Sequence, residues 1–215
     1  MNENAVQTIK DKVFAALFNS KEHILEIYNA FHPEETPLKP NEVSFIQLGK
    51  YLDAGHYDAG FLAKDTHMIL METQNELAVS YSMRLTLSLP EMFNEYLTAH
   101  RTSMHSVKPV VLPRPEFYVI YTGLDDTPPV FRLSELIGRS ESQKAQASPG
   151  NIDLEVRIIK ESGTASLLDQ YIRFCRVADE MLEKYEHTSE ADAKTIELCM
   201  EKDILVSILS SLLEN

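Results

Sequence analysis

Two strand-like segments separated by a short polar turn constrain the fold of this chain more than any other feature. Residues 57–64 read YDAGFLAK and residues 67–74 read HMILMETQ, with the turn Lys64-Asp65-Thr66 at their junction. Strands joined by so short a connection pair as an antiparallel hairpin. A turn centred on Asp65 places Asp58 directly opposite Glu72, which fixes both the register and the faces of the two strands.

The predicted hairpin brings acidic side chains together. Directly opposed residues have Cβ atoms about 4.5–5.5 Å apart, so the carboxylates of Asp58 and Glu72 would repel each other unless a cation lay between them. A hard divalent ion such as Mg²⁺ or Mn²⁺ relieves that repulsion and activates water. Gln74 shares the face of Glu72 and could orient the water or a phosphate oxygen. The alternative is a surface hairpin with ordinary solvated polar residues, because a one-residue shift of the turn removes the facing pair.

The remaining periodicities predict a mixed α/β domain with flanking helices. The predicted elements are a helical region over 11–31 with a break at Asn19-Ser20, a strand over 42–49, a helix over 80–99 that should kink or split at Pro90, a buried strand over 116–122, a short strand or helix over 131–137, a half-buried strand over 152–158, and helices from 167 to the end. These elements predict a core over residues 1–137, a linker over 138–150, and a strand with a C-terminal helical cap, packed on the core, over 151–215.

Composition narrows the class of protein. The 215 residues are 44% hydrophobic, which is enough for one well-buried core. No apolar run reaches the roughly 18 residues that a membrane span needs, and the first residues are polar, so we expect a cytoplasmic protein without membrane contact. The two cysteines, Cys175 and Cys199, lie in helix-like segments and are expected to be buried, reduced thiols.

The charge balance bears on the partner. The chain carries 33 acidic and 20 basic residues, a net charge of −13, whereas proteins that bind polyanions usually carry a basic surface. The stretch 100–114 runs the other way, with Arg101, Lys108 and Arg114 and no acidic residue. This stretch could contact a phosphate backbone, or it could be an ordinary solvated loop.

A set of loose motifs spread over most of the chain resembles a known family. The chain is similar to the PD-(D/E)xK nuclease family transposases, the Rpn or YhgA-like recombination-promoting nucleases of bacteria. The residues that carry the resemblance are Asp11-x-x-Phe14-x-x-Leu17-Phe18, Tyr28-Asn29-Ala30, Asp58, Glu72-x-Gln74, Met83-x-Leu85, Leu112-Pro113-x-Pro115-x-Phe117-x-Val119, Tyr121-x-Gly123, Arg132-Leu133-Ser134, Leu154-Glu155-Val156 and Glu197-x-Cys199 with Ile204-Leu205.

The resemblance implies a restriction-endonuclease-like core (helix, three-stranded meander, helix, strand) and Mg²⁺-dependent cleavage of DNA. Asp58 and Glu72 then resemble the catalytic metal ligands, and Gln74 resembles the third signature residue. Glu26 resembles the acidic residue that some members add to the metal site. The chain departs from the pattern in having no proline before Asp58. Gln74 replaces the lysine of the wider superfamily and cannot act as a cation or a base.

Two functions from different classes follow. The first is a metal-dependent DNA endonuclease that acts in transposition or recombination, with Arg101, Lys108 and Arg114 meeting the DNA backbone. The second is a protein that kept the nuclease fold without catalysis and uses its acidic surface and helical tail for a protein partner or a homodimer. Stabilisation by a divalent metal distinguishes the two, because a ligand that binds only the native state raises its melting temperature.

Overall fold

The computed structural model of the chain describes residues 8–46, 58–77, 80–102, 109–135 and 153–214, and only the backbone at 58, 80–86 and 135. The described helices are α1 (Ile9–Phe18), α2 (Lys21–Phe31), α3 (Ser80–Ala99), α4 (Leu167–Lys184), α5 (Thr188–Glu201) and α6 (Val206–Leu213), with short 3-10 turns at Pro40–Glu42 and Leu133–Glu135. The described strands are β1 (Val43–Ile46), β2 (Asp58–Ala63), β3 (His67–Gln74), β4 (Arg114–Tyr121), β5 (Val130–Arg132) and β6 (Glu155–Ile159).

The chain divides into two compact units that differ from the predicted domains. One unit comprises Met1–Pro40 with Lys160–Asn215, and the other comprises Asn41–Ile159. The first two helices therefore group with the C-terminal helices and not with the sheet. The strand predicted after residue 150 groups with the sheet and not with the helices that follow it. The predicted linker, 138–150, lies outside the described residues.

The helical unit has well-defined helix starts. Thr8 caps α1 through a capping box with Asp11, which satisfies backbone N–H groups that the first helical turn leaves unpaired. The side chain of Ser20 accepts a hydrogen bond from the backbone N–H of His23, so a new helix begins after the predicted break at Asn19-Ser20. Aromatic contacts fix the interior of the unit, where the rings of Phe18 and Tyr171 meet edge to face at 5.4 Å.

The other unit contains a six-stranded mixed sheet with the order β1-β2-β3-β4-β6-β5. The first three strands form an antiparallel meander. The chain then passes through α3 and returns as β4, which is parallel to β3. β6 pairs parallel with β4 and antiparallel with β5, so the strand predicted over 152–158 lies inside the sheet. This arrangement confirms the mixed α/β class.

The face of the sheet that carries Leu70 and Val119 packs into a hydrophobic cluster with α3. Its buried members are Leu62, Met68, Leu70, Met92, Phe117, Val119, Tyr121, Phe131, Leu133, Leu154, Val156 and Ile158. α3 runs unbroken from Ser80 to Ala99 with Pro90 inside it, so the predicted split does not occur. Among the described residues, no helix combines the length and the apolar character that a membrane span requires.

Candidate functional site

The hairpin has the register that the sequence predicts. β2 and β3 are antiparallel, and Asp58 pairs directly with Glu72. The turn forms as expected, because Lys64 and Asp65 adopt positive φ angles of 53° and 52°, and the N–H of Thr66 donates to the carbonyl of Ala63 at 3.0 Å. Two consecutive residues in this conformation match the right-handed twist of the flanking strands. The backbone therefore holds two acidic residues opposite each other, whereas the carboxylate–carboxylate distance stays a prediction, since the side chain of Asp58 is not described.

Glu72 is a buried acid. It is 1% exposed and lies on the face of the sheet that packs against α3, beside Leu70 and opposite Val119 of β4. Burying a carboxylate costs free energy unless hydrogen bonds or a cation compensate for the lost water. The side-chain N–H of Gln74 donates to Oε1 of Glu72, so the two residues of the Glu-x-Gln pair contact each other directly.

Gln74 ends β3 at a well-defined position. Its backbone carbonyl accepts hydrogen bonds from the N–H of Thr122 at 2.9 Å and from the hydroxyl of Thr122 at 3.3 Å. Its amide nitrogen is directed at Glu72, and its oxygen Oε1 is of the kind that accepts hydrogen bonds or binds hard cations. Thr122, which the sequence motifs passed over, thus anchors the end of the strand that carries both Glu72 and Gln74.

The backbone at Gly123 lies very close to Asn75 and to the ring of Tyr121, which explains the glycine at this position. A Cβ atom there would overlap the carbonyl oxygen of Asn75 and the ring of Tyr121. Tyr121 pairs with Gln74 across the two strands and is buried on the same face. The Tyr121-x-Gly123 pattern quoted from the sequence therefore has a physical basis, since only a residue without a side chain lets this turn pack against the end of the candidate site.

The other predicted site residues lie elsewhere. Glu26 is exposed on α2, and its carboxylate accepts a hydrogen bond from the backbone N–H of Leu167 at 3.4 Å, at the first turn of α4. An acid at a helix N-terminus interacts favourably with the helix dipole, which gives Glu26 a structural role of its own. Its contribution to a metal site stays a prediction.

Arg114 lies at the end of the sheet opposite to Glu72. Arg114 begins β4 and pairs with His67, five residue pairs, or about 17 Å, along β3 from Glu72. Arg101 follows the last turn of α3 and is exposed. Lys108 falls outside the described residues. The structure thus does not bring Arg114 next to the acidic pair, and DNA contact by these residues stays a prediction.

The structure contains a second buried carboxylate that the sequence analysis missed. Glu116 of β4 is 7% exposed and accepts a hydrogen bond from the hydroxyl of Tyr118 at 2.6 Å. The side chain of Arg157 donates to the same hydroxyl at 3.2 Å. His67 and Arg114 each approach Glu116 to 3.7 Å. Burial and the hydrogen bond to Glu116 hold the pKa of Tyr118 above its ordinary value.

This Glu116 cluster (Glu116, Tyr118, Arg157, His67 and Arg114) lies on the face opposite Glu72. Its signal in the sequence was a Glu-x-Tyr pair inside a strand predicted as an apolar run. Because residues two apart share a face, the pair indicated a polar group among buried side chains. The arrangement neutralises a buried acid with cations, which is typical of a structural network.

Neither cysteine offers a nucleophile. Cys175 and Cys199 are free and fully buried, as the sequence predicted. Burial raises the pKa of the Cys175 thiol to about 12 and that of Cys199 to about 11. Thiols of this kind stay protonated at neutral pH and are poor nucleophiles.

No protein-family model, no curated protein and no solved structure matches this chain. The assignment of a function therefore rests on the site itself.

Proposed function

We propose that this chain is a metal-dependent DNA endonuclease of the PD-(D/E)xK type. The observation that carries the proposal is the pairing of Asp58 with Glu72 across the β2–β3 hairpin. The alternative pairing, displaced by one residue, would have sent the two acids to opposite faces. A register that keeps two acids opposed is costly for stability and is expected where the acids have a shared ligand.

The topology adds support. The resemblance implies a helix, a three-stranded meander, a helix and a strand, and the sheet unit contains the meander β1-β2-β3, then α3, then β4 parallel to β3. Asp58 is the first residue of β2, and Glu72-x-Gln74 closes β3. The acidic pair thus occupies ends of the two strands that adjoin each other.

The donor set fits a hard divalent cation. Asp58 and Glu72 supply carboxylate oxygens and Gln74 supplies an amide oxygen, and Mg²⁺ and Mn²⁺ prefer ligands of this kind. These three residues would hold the ion, which when bound would supply an activated water and stabilise charge on a phosphate. The contact between the amide of Gln74 and Glu72 fixes the orientation of that carboxylate. The role of Gln74 is therefore to position, since its amide does not titrate.

Net charge favours the second candidate function, a catalytically inactive protein that binds a protein partner or a second copy. The charge is unevenly divided. The sheet unit, 41–159, has 15 acidic and 10 basic residues, a net −5, and the rest of the chain carries the remaining −8. The unit with the acidic pair is thus the less acidic per residue, which weakens the objection to DNA binding without removing it.

Cleavage and melting measured together separate the two functions. The full chain is incubated with plasmid and with linear single-stranded DNA, with Mg²⁺, with Mn²⁺ or with EDTA, and its melting temperature is recorded under the same conditions. We expect cleavage and a raised melting temperature only with metal, and the loss of both in Asp58→Asn and Glu72→Gln. Glu76→Gln is the matched control, because Glu76 is an exposed acid two residues after Gln74. A metal response that survives in all three variants would refute the nuclease proposal.

A further inference from the structure

A cavity of about 320 Å³ lies between the second half of α3 and the β1-β2-β3 meander. Leu62 and Met68 line it from the sheet, and Met92 and Tyr96 line it from the helix. All of these residues belong to the sheet unit. A volume of this size is at the lower end of the range for small-molecule sites, which is about 300–1,000 Å³. The cavity therefore accommodates a compact ligand and not a polymer.

The cavity is separate from the candidate metal site. Met68 precedes Glu72 by four residues on β3, a distance of about 13 Å along the strand. The cavity adjoins the turn end of the hairpin, whereas Asp58 and Glu72 lie at its open end. An inference about the cavity thus stands independently of the proposed nuclease function.

The inner wall suits an aromatic ring. Met68 and Met92 contribute flexible thioether side chains, and sulfur makes favourable contacts with the edges of aromatic rings. The ring of Tyr96 packs on the imidazole of His100 with centroids 4.1 Å apart. This contact holds the tyrosine ring in place as one wall of the cavity, and its face attracts a cation.

The polar residues of the cavity select for positive charge. Asp65 and Glu95 place two carboxylates in its lining, together with His100. Nδ1 of His100 lies 2.8 Å from the carbonyl of Tyr96. A carbonyl can only accept, so Nδ1 carries the proton and donates. Nε2 then lies 3.9 Å from Asp65. Among the described residues that line the cavity, the charged side chains besides His100 are these two carboxylates, which disfavour anions and attract an ammonium group.

We propose that this cavity binds a primary amine that carries a single aromatic ring. The ring occupies the space between Met68, Met92 and Tyr96, and the ammonium group lies near Asp65 and Glu95. Both parts of the ligand are needed. The apolar wall provides affinity for the ring, and the carboxylates provide selectivity for the ammonium group over neutral or anionic groups.

Methyl resonances of methionine report on this site directly. The full chain is labelled with methyl-¹³C methionine, of which Met68 and Met92 are two among eight. It is titrated with 2-phenylethylamine, with phenylacetate and with 2-phenylethanol, which share size and ring. We expect the Met68 and Met92 signals to shift saturably with the amine, at a Kd about tenfold lower than for the other two ligands.

Two pairs of variants locate the binding. Ala99→Phe places a ring in the cavity lining, and Thr98→Phe places the same ring on the exposed neighbouring position. Asp65→Asn with Glu95→Gln removes two charges from the lining, and Asp125→Asn with Asp126→Asn removes two exposed charges elsewhere. Asn suits position 65 because it tolerates the positive φ of that residue.

The expected result is that Ala99→Phe abolishes the shifts and Thr98→Phe does not. The double change in the lining should remove the preference for the amine, and the double change at 125 and 126 should leave it intact. Equal affinity for phenylacetate would overturn the proposal, as would unsaturable shifts with every ligand. Binding that survives in Ala99→Phe would show that the amine binds elsewhere. None of these outcomes depends on metal or on DNA cleavage.

Discussion

Glu72 and Glu116 are buried acids on neighbouring strands of one sheet, yet their surroundings differ. Glu116 accepts a hydrogen bond from Tyr118 and lies within 3.7 Å of both His67 and Arg114. Glu72 is held by the neutral amide of Gln74 and pairs in register with a second acid. The cationic neighbours of Glu116 favour a structural role for that acid, and the proposal assigns Glu72 to a ligand.

The largest expected effect is on cleavage. Glu72→Gln removes a charged metal ligand while it keeps the shape of the side chain, so we expect metal-dependent DNA cleavage to fall at least about 100-fold. The metal-free protein should be as stable as before or more stable, because the repulsion by Asp58 disappears. Initial cleavage rates and urea unfolding of the same preparation measure both quantities. Glu116→Gln is the comparison variant, and cleavage that falls equally in both would erase the distinction between the two acids.

The second largest effect is expected on stability, where Glu116→Gln should be destabilising and Glu72→Gln should not. Glu116→Gln leaves Tyr118 and the nearby cations without their acid, and we expect the free energy of unfolding to fall by about 2 kcal/mol at pH 7. The rise of melting temperature with Mg²⁺ should be retained, since the acidic pair is untouched. Chemical denaturation with and without metal tests this. A denaturation midpoint that is unchanged in Glu116→Gln would show that the Glu116 cluster does not stabilise the fold.

A smaller effect should appear in Tyr118→Phe. The lost hydroxyl should cost about 1 kcal/mol at neutral pH. The pKa of Tyr118 is raised in the folded chain, so the unfolded chain releases this proton first as the pH rises. The tyrosine's contribution to stability is therefore complete below its unfolded pKa, about 10, and is lost above it. Between pH 9.5 and 11, the free energy of unfolding should therefore fall less in Tyr118→Phe than in the wild type. Urea unfolding at a series of pH values measures this. Parallel curves of unfolding free energy against pH would contradict the prediction.

The smallest expected effect is the coupling between the two acids. Glu116 pairs across from Ile69, three residues from Glu72 along β3 and on the other face. Independent sites more than about 7–10 Å apart have additive effects within about 0.5 kcal/mol. A double-mutant cycle of Glu72→Gln and Glu116→Gln measures the coupling free energy. A value above about 1 kcal/mol would show that the two acids belong to a single network.

The hairpin was predictable from sequence because its information is local. A short polar turn centred on Asp65 predicts the register that pairs Asp58 with Glu72, and the structure has that register. The buried strand β4 was predicted for a similar reason, from a continuous apolar run. The break between α1 and α2 followed from the capping residue Ser20.

Long-range pairing was not predictable in the same way. The alternation over 152–158 indicated a strand and nothing about its neighbours, and β6 lies between β4 and β5. The grouping of the first helices with the last ones likewise depends on tertiary packing, which a single sequence does not encode locally. The Glu116 cluster was missed because Arg157 comes from β6, so its charge partner was assignable only once the strand order was known.

The local β2–β3 hairpin and the long-range β4–β6 pair are also expected to form in a definite order during folding. Asp58 and Glu72 are 14 residues apart in sequence, whereas Phe117 of β4 and Val156 of β6 are 39 apart. Closing the shorter loop loses less chain entropy, and hairpins form within about 1–10 μs. We therefore expect the acids to meet early, while water still screens their charges, and to become buried only when the parallel strands dock. A metal ion bound at the hairpin stage would reduce the repulsion between the acids before they are buried, so Mg²⁺ should raise the refolding rate in stopped-flow experiments.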